Sequence, residues 1–248
     1  MVRKDSSRRW FRRATPRRWL PFIAFAALVA GAAIVESDPA VLQPAELDAS
    51  LDVATLPAVP AADAISTAWY CAGGSAQGDG GIAELTAVMA NDADQGATAE
   101  VTVIDAAGTS EVVEVDIPAN GRARLRAAEV LEADWVALLV EVRGGRVTVD
   151  REVVGPLGFD AQPCSSEAAD QWWVPSGSSV RGSRYYLSLF NPFPDAASVD
   201  ITFATNSGAR TPVALRGFSV PARSVRVIPI HETITDRAAI ATNVTVRS

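Results

Sequence analysis

The chain has 248 residues with 22 basic and 29 acidic side chains, one His and two Cys, and a formal net charge of −7. This length allows one large or two ordinary domains, and one His with two distant Cys supplies too few ligands for most metal enzymes. The charge is polarised: residues 1–18 hold 8 basic side chains and 1 acid, whereas the residues after Val35 hold 14 Arg and 28 acids.

An uncharged apolar segment, residues 19–35, separates the basic N-terminus from the acidic remainder. Its length and Arg-rich flank predict one N-terminal transmembrane helix, a signal anchor, with residues 1–18 as a basic cytoplasmic tail. The lipid bilayer is the predicted partner of this segment, and no nucleic-acid partner is predicted, because the basic residues are explained by membrane orientation. The alternative is a cleaved signal peptide ending at Ala30-Gly31-Ala32. In the first case the C-terminal domains stay attached to the cell membrane outside the cytoplasm; in the second the protein is secreted.

Residues 36–65 contain four Pro, six acids and no basic residue. This composition predicts an extended spacer, because the segment has little apolar surface to bury and its like charges repel. A short helix inside the spacer is the alternative.

The sequence after the spacer predicts an all-β fold of tandem antiparallel immunoglobulin-like β-sandwich domains. The first sandwich, residues 66–166, has short alternating or apolar runs at 82–90, 99–105, 111–117, 122–126, 134–142 and 146–153. The Gly-rich residues 73–81 are predicted to be a flexible loop, and residues 91–94 a hairpin turn.

The second sandwich, residues 171–248, has strand patterns at 185–190, 198–205, 211–218, 223–229 and 239–247. The order of features repeats the first set: Asn91 aligns with Asn191, Pro118 with Pro221, and Val140 with Val244. The predicted strand 146–153 has no counterpart after Arg247, so the second sandwich is predicted to be incomplete. The sequence is then expected to be shorter than the natural protein, or a partner strand completes the sheet.

Cys71 and Cys164 bracket the first sandwich. Because disulfides are stable outside the cytoplasm, the export signal predicts a structural disulfide between them. Two free buried thiols, or a catalytic or metal role, are the alternatives.

Aromatic residues are crowded near the start of the second sandwich, in a chain that is 7% aromatic. Adjacent residues of a strand face opposite sides of the sheet. One residue of the pair Trp172-Trp173, and one of the pair Tyr185-Tyr186, is therefore expected to be exposed or at a domain junction. Exposed aromatic rings stack on sugars or anchor protein partners, and Arg binds anionic groups. The candidate binding residues are Trp172, Trp173, Tyr185, Tyr186, Arg181 and Arg184; the alternative assigns the aromatics to the core and the junction.

The two sandwiches also differ in charge. Residues 67–165 have 6 Arg and 16 acids, whereas residues 171–248 have 8 Arg and 4 acids. The second sandwich is therefore expected to attract an anionic envelope polymer, a lipid surface, or the acidic first part of the same chain.

The pattern identifies no catalytic centre. His231 is the single His of the chain and lies between two predicted strands of the second sandwich. The corresponding segment of the first sandwich contains no His. No catalytic residue, metal ligand or cofactor is predicted, and the chain is predicted not to be an enzyme.

At residues 171–177, 185–193 and 217–225 the sequence resembles an actinobacterial family of membrane-anchored extracellular proteins that is known as a domain of unknown function. The resemblance implies an anchored protein with repeated β domains and supplies no catalytic residues. The functional hypothesis is a non-catalytic, membrane-anchored cell-envelope protein that acts as an extracytoplasmic interaction or scaffold module, with an envelope protein as partner. The alternative is a module that binds an envelope glycan or an anionic cell-wall polymer through aromatic and Arg residues of the second sandwich.

Overall fold

The computed structural model describes residues 60–61, 63–156 and 158–247, and most of their regular structure is β-strand, so the predicted all-β class is confirmed. The predicted tail (1–18), the predicted transmembrane helix (19–35) and most of the predicted spacer (36–65) lie outside the described residues. Within the described part, no helix is long and apolar enough to cross a membrane.

The first group of strands forms one eight-stranded sheet with two halves. One half has the order β4-β3-β6-β1; in the other, β2 pairs with β5 and β7, and β7 pairs with β8. A parallel pairing of Ser75 with Glu84 joins β1 to β2. The strands are β1 Ser66–Ala76, β2 Glu84–Asn91, β3 Ala97–Asp105, β4 Ser110–Ile117, β5 Arg122–Arg126, β6 Ala133–Arg143, β7 Val147–Gly155 and β8 Gly158–Pro163.

Alternation of side chains in these strands creates the first core. Alternate residues of a strand face the same side of the sheet, so Val101 and Val103 of β3 and Leu85 and Met89 of β2 all become buried. Both halves of the sheet contribute to the same apolar cluster. The predicted disulfide is present: Cys71 on β1 is bonded to Cys164, just after β8, and both are buried in this core.

The second group contains a two-stranded sheet, β10-β14, and a five-stranded sheet with the order β12-β11-β15-β9, in which β13 also pairs with β11. A second apolar cluster draws side chains from both sheets, including Leu187, Ile201 and Val244. The strands are β9 Gln171–Val174, β10 Tyr186–Asn191, β11 Ala197–Thr205, β12 Gly208–Arg210, β13 Phe218–Val220, β14 Ser224–Pro229 and β15 Ile240–Val246, and a short helix α1 spans Ile230–Thr233.

Three local predictions are wrong. In the predicted strand 211–218, Val213–Leu215 form a 3₁₀ turn, because Pro212 has no N–H to donate and Gly217 adopts φ +60°. Residues 91–94 do not make a hairpin, since β2 and β3 belong to different halves of the sheet. The Gly-rich segment 73–81 is not an open loop: it includes the end of β1 and a 3₁₀ turn, Gly78–Gly80.

The chain leaves β2 and β10 through the same turn, built on a buried Asn. Asn91 ends β2 and Asn191 ends β10, and each side-chain NH₂ donates hydrogen bonds to main-chain carbonyl oxygens. The acceptors are Gln95 (2.8 Å) and Pro118 (3.2 Å) for Asn91, and Asp195 (2.8 Å), Val220 (3.2 Å) and Pro221 (3.1 Å) for Asn191. The two groups therefore share a contact pattern as well as a sequence pattern.

The two groups pack against each other through β1 and β10. The ring centroids of Tyr70 and Phe190 are 6.4 Å apart, and those of Trp135 and Tyr186 are 5.2 Å apart. Between these pairs, a Cβ added to Gly73 would lie 1.9 Å from the Ser188 Oγ and 2.1 Å from its Cβ. Close approach of the two strands thus requires Gly at position 73.

Replacing Gly73 tests this junction. Gly73 has φ +69°, and Gly78 has φ +67° with no atom within 4 Å of an added Cβ, so the two glycines share a left-handed backbone conformation and differ in crowding. We expect Gly78→Ala to lower the free energy of unfolding by about 1–2 kcal/mol through backbone strain. Gly73→Ala should cost about 1–3 kcal/mol more, because β10 must move away from β1.

Urea unfolding of the oxidised full-length chain in a non-ionic detergent measures both values. Equal losses in the two variants would show that the β1–β10 approach does not contribute to stability.

Candidate functional site

The six predicted binding residues do not come together. Trp172 and Trp173 lie on the edge strand β9, whereas Tyr186 begins β10 and Tyr185 immediately precedes it. Arg181 and Arg184 are exposed on the segment between these strands, and neither makes an ion pair with any residue that the structure describes. The predicted site therefore divides into separate places, each with its own environment.

Tyr185 belongs to the second core. Its Oη lies 2.8 Å from the Oγ1 of buried Thr242 in a hydrogen bond, and burial raises the pKa of its hydroxyl. A Cβ on Gly177 would lie 2.7 Å from its ring, so the ring is closely packed. These contacts give Tyr185 a structural role.

Tyr186 lies at the junction between the groups, with its ring against Trp135 and, at 5.1 Å, against His231. The Nδ1 of His231 donates a hydrogen bond of 3.0 Å to the carbonyl oxygen of Tyr185. His231 is thus a packing residue of this junction. Within the described residues, no group of three or more His, Cys, Asp or Glu side chains is placed to hold a metal ion.

Trp172 and Trp173 point to opposite faces of the five-stranded sheet. Trp172 pairs with buried Val244, and Trp173 pairs with Asn243, so Trp172 is on the core face and Trp173 on the outer face. Trp172 is 39% exposed and Trp173 63% exposed. Of the aromatic candidates, Trp173 is the most exposed, and it lies on the outer face of the five-stranded sheet.

Polar side chains surround Trp173 on this outer face, which we call the Trp173 face: Trp173, Asn243, Thr202, Thr245 and Gln171. Cross-strand pairing aligns Trp173, Asn243 and Thr202 in one row and Gln171, Thr245 and Asp200 in the next. The Thr245 hydroxyl donates to the Asn243 Oδ1 at 3.1 Å. Directly opposite residues are about 5 Å apart, so the indole lies next to amide and hydroxyl groups. Sequence reasoning found the tryptophan but missed its cross-strand partners Asn243 and Thr202, which are far from it in the sequence.

The charge at the border of this face is compensated. The Asp200 carboxylate accepts hydrogen bonds from the Arg247 Nε at 2.6 Å and from the Gly217 N–H at 2.8 Å. These bonds, that of Arg247 first, lower the pKa of Asp200 below its ordinary value. The amide and hydroxyl groups beside Trp173 carry no charge, and at the border of the face the charges of Asp200 and Arg247 offset each other.

A shallow groove of about 470 Å³ lies elsewhere, in the first group, and none of the six candidates lines it. Its walls include Asn91, Arg122 and Arg146, and Arg146 is paired with Asp92 at 3.0 Å. The groove is open and its lining mixes polar and apolar groups, so its geometry does not select a ligand.

The Asp200–Arg247 pair makes a prediction about pH. Because Arg247 is the main cause of the lowered pKa, Arg247→Ala should raise the pKa of Asp200 towards its ordinary value. Arg216→Ala should raise it less, since Arg216 acts through its charge alone. Because the folded pKa is depressed, the stabilisation from this pair is present above the unfolded pKa of Asp200 and is lost as pH falls through the folded pKa.

Carbon-detected NMR titration of the Asp200 carboxyl measures these changes. An unchanged pKa in Arg247→Ala would mean that the ion pair does not control the charge at this border.

A search of the curated proteins found no match. Among solved structures, a Thermotoga maritima protein designated 1070 is 16% identical, with a TM-score of 0.35 over 42% of this chain and 96% of that chain. The Anabaena sensory rhodopsin transducer is 19% identical, with a TM-score of 0.29 over 34% of this chain and 93% of that chain. TM-scores of this size do not establish a shared fold.

The sequence comparison covers the second group. Residues 152–248, which run from β7 to the end of β15 and include the Trp173 face, match a family described as a family of unknown function (DUF5719).

Proposed function

We propose that the chain is a non-catalytic, membrane-anchored cell-envelope protein whose β region is an interaction or scaffold module outside the cytoplasm. In this proposal residues 19–35 are the membrane anchor, and the two groups of strands are tandem immunoglobulin-like sandwiches, the second incomplete. The arrangement agrees with the actinobacterial extracellular family that the sequence resembles. The basic flank of the anchor and the acidic residues after it support the orientation.

The observation that carries the proposed interaction is the exposure of Trp173. Tryptophan has a large apolar ring, and Trp residues are enriched where proteins bind partners. Trp173 is 63% exposed on an edge strand, with no described core side chain covering it. An envelope protein that covers this ring would gain apolar contact, while the Asn243 amide keeps its hydrogen bonds to the Trp172 carbonyl oxygen and the Thr245 hydroxyl.

A second candidate, binding of an envelope glycan, is favoured by the chemistry next to the ring. Sugars stack their apolar faces on indole rings and hydrogen-bond through their hydroxyls. The row Trp173, Asn243, Thr202 offers one flat ring, one amide and one hydroxyl on a single face. Because Arg181 and Arg184 are not on β9, an anionic polymer has less support than a neutral glycan.

The proposed location predicts the redox state of the two cysteines in cells. Cys71 and Cys164 are the two Cys of the chain and are bonded to each other, and such bonds persist outside the cytoplasm. Maleimide-polyethylene glycol added to denatured whole-cell protein should leave the electrophoretic mobility of the chain unchanged. When the protein is reduced beforehand, the chain should gain two labels. Labelling without reduction would contradict an extracytoplasmic β region.

Partner binding can be tested by photo-crosslinking in intact cells. A benzophenone amino acid at position 173 should yield a discrete crosslinked envelope protein. The matched control places it at Phe159, which is 65% exposed on β8 in the first group. The same products from both positions, or none from either, would contradict the protein-partner proposal.

The glycan candidate has a separate test, cosedimentation of the full-length chain with purified wall glycans. Salt-resistant binding that falls by about tenfold or more in Trp173→Ala, but not in Phe159→Ala, would establish stacking. Binding that is lost at high salt in all variants would indicate an anionic polymer and Arg contacts instead.

A further inference from the structure

The segment between β9 and β10 has two arginines whose charge no described residue neutralises. Residues 171–194 contain Arg181 and Arg184 and no acidic side chain. Both arginines are exposed, and neither guanidinium makes a hydrogen bond or an ion pair with a described residue. The Trp173 face does not include them, so the proposed function leaves their charge without a role.

A tight turn holds the two arginines close together. The Ser183 N–H donates to the Val180 carbonyl oxygen at 2.9 Å, and Gly182, the third residue of the turn, has φ +91°. This is a type II turn, which requires a positive φ at its third residue. Arg181 is the second residue of the turn, and Arg184 follows it directly. The Ser183 hydroxyl between them is half-buried and has no hydrogen-bond partner among the described residues.

Hydrogen bonds fix the base of this turn to the segment before β15. Ser179 is buried; its N–H donates to the Arg237 carbonyl oxygen at 2.9 Å, and its carbonyl oxygen accepts from the Asp236 N–H at 3.2 Å. The Ser179 Oγ accepts from the Arg237 N–H at 3.1 Å, and the Ser178 Oγ donates to the Arg237 carbonyl oxygen at 3.3 Å. A ligand of the turn therefore does not have to order the main chain that carries the arginines, and that ordering is a cost which lowers affinity.

We propose that the turn at residues 180–184 binds the phosphate groups of an anionic envelope polymer. A guanidinium donates two parallel hydrogen bonds to an oxyanion, so one arginine suffices for both oxygens of a carboxylate. The oxygens of a phosphate point in several directions and accept from two guanidiniums and a hydroxyl at once. The unpaired Arg181, Ser183 and Arg184 therefore favour phosphate. A polymer repeats this group, and binding through several copies of the chain raises the overall affinity.

The predicted acidic spacer of the same chain is the rival occupant, and it joins the first group far from the turn. Tyr186, which begins β10, packs against Trp135, and Gly74 near the end of β1 pairs with the residue after Trp135. The turn is therefore near the end of β1, whereas residues 36–65 lead into its start. At about 3.3 Å per residue, about 25 Å of strand separates the two ends. Asp63, the spacer acid among the described residues, lies before the start.

The turn lies outside the Trp173 face, so this inference goes beyond the proposed function. Only the envelope as the source of the polymer rests on that proposal, and a titration with pure probes does not depend on it. The two therefore fail separately.

Titration of the oxidised full-length chain with sodium tripolyphosphate in a non-ionic detergent tests the site. NMR chemical shifts of the Gly182, Ser183 and Arg184 amides are the readout, because they separate this site from the basic N-terminus. We expect saturable shifts and a dissociation constant that rises with salt concentration, since salt screens exposed charges. Oligogalacturonate, a carboxylate probe, should bind more weakly by about threefold or more.

Three variants identify the groups that bind. The double variant Arg181→Gln/Arg184→Gln should weaken binding by about tenfold or more. Arg181→Lys/Arg184→Lys keeps the charge and loses the planar fork, so it should recover part of the affinity. Arg223→Gln is the matched control and should leave binding unchanged. Arg223 is also exposed and without a described side-chain partner, but it lies beside Phe193, past the other end of β10.

Four results would overturn the proposal. They are no saturable shift at the turn up to about 10 mM tripolyphosphate, equal losses in the double Gln variant and in Arg223→Gln, no recovery in the double Lys variant, and tighter binding of oligogalacturonate than of tripolyphosphate.

Two further arms test the other occupants. If replacing the six acids of residues 36–65 with Asn or Gln tightens tripolyphosphate binding by about tenfold or more, the spacer occupies the turn and the polymer does not. Phosphatidylglycerol vesicles that shift the three amides where tripolyphosphate does not would assign the turn to a lipid surface instead.

Discussion

One buried asparagine side chain in each group determines how the sheets are connected. Where a chain turns from one sheet to another, main-chain carbonyls lose their ladder partners, and a buried carbonyl without a donor costs about 1–3 kcal/mol. Asn191 donates to three such oxygens and accepts a hydrogen bond from the Phe193 N–H at 3.1 Å. Asn91 does the same with two oxygens and the Ala93 N–H. The direction in which β10 and β2 meet the strands that follow depends on these few bonds.

The junction between the groups depends on shape more than on charge. The acidic first part and the basic second part of the chain suggested electrostatic attraction between them, but the ion pairs Arg124–Glu152, Arg146–Asp92, Arg151–Asp160 and Arg247–Asp200 each join two residues of the same group. What crosses the junction is aromatic packing, the close approach of Gly73 to Ser188, and a hydrogen bond of 3.1 Å from the Arg226 guanidinium to the Ala106 carbonyl oxygen. Arg151 holds β1 in place here, since its guanidinium donates to the Ala72 and Gly73 carbonyl oxygens, and its burial lowers its pKa.

The strands with clear alternation were predictable from sequence, and so was the disulfide. Residues 122–126 coincide with β5, and the strands predicted at 99–105 and 111–117 differ from β3 and β4 by one or two residues. Short strands such as β8 and β12 were not predictable, because each is exposed along its length and carries no apolar alternation. The candidate site was only partly predictable: the face to which each aromatic ring points depends on strand register, which sequence crowding does not encode. Trp172 and Trp173 are adjacent in sequence, yet they serve different surfaces.

The disulfide also has a mechanical consequence. Cys71 lies in the middle of β1, and Cys164, 93 positions further along the chain, lies just before the segment that leads to β9. A pulling force applied between residue 66 and the second group passes directly through the sulfur–sulfur bond. The residues from 72 to 163, which contain β2 to β8, lie outside this load path, whereas residues 66–71, which pair with β6, lie within it. Under tension residues 72–163 therefore add no length, and any lengthening is confined to the residues before Cys71 and after Cys164.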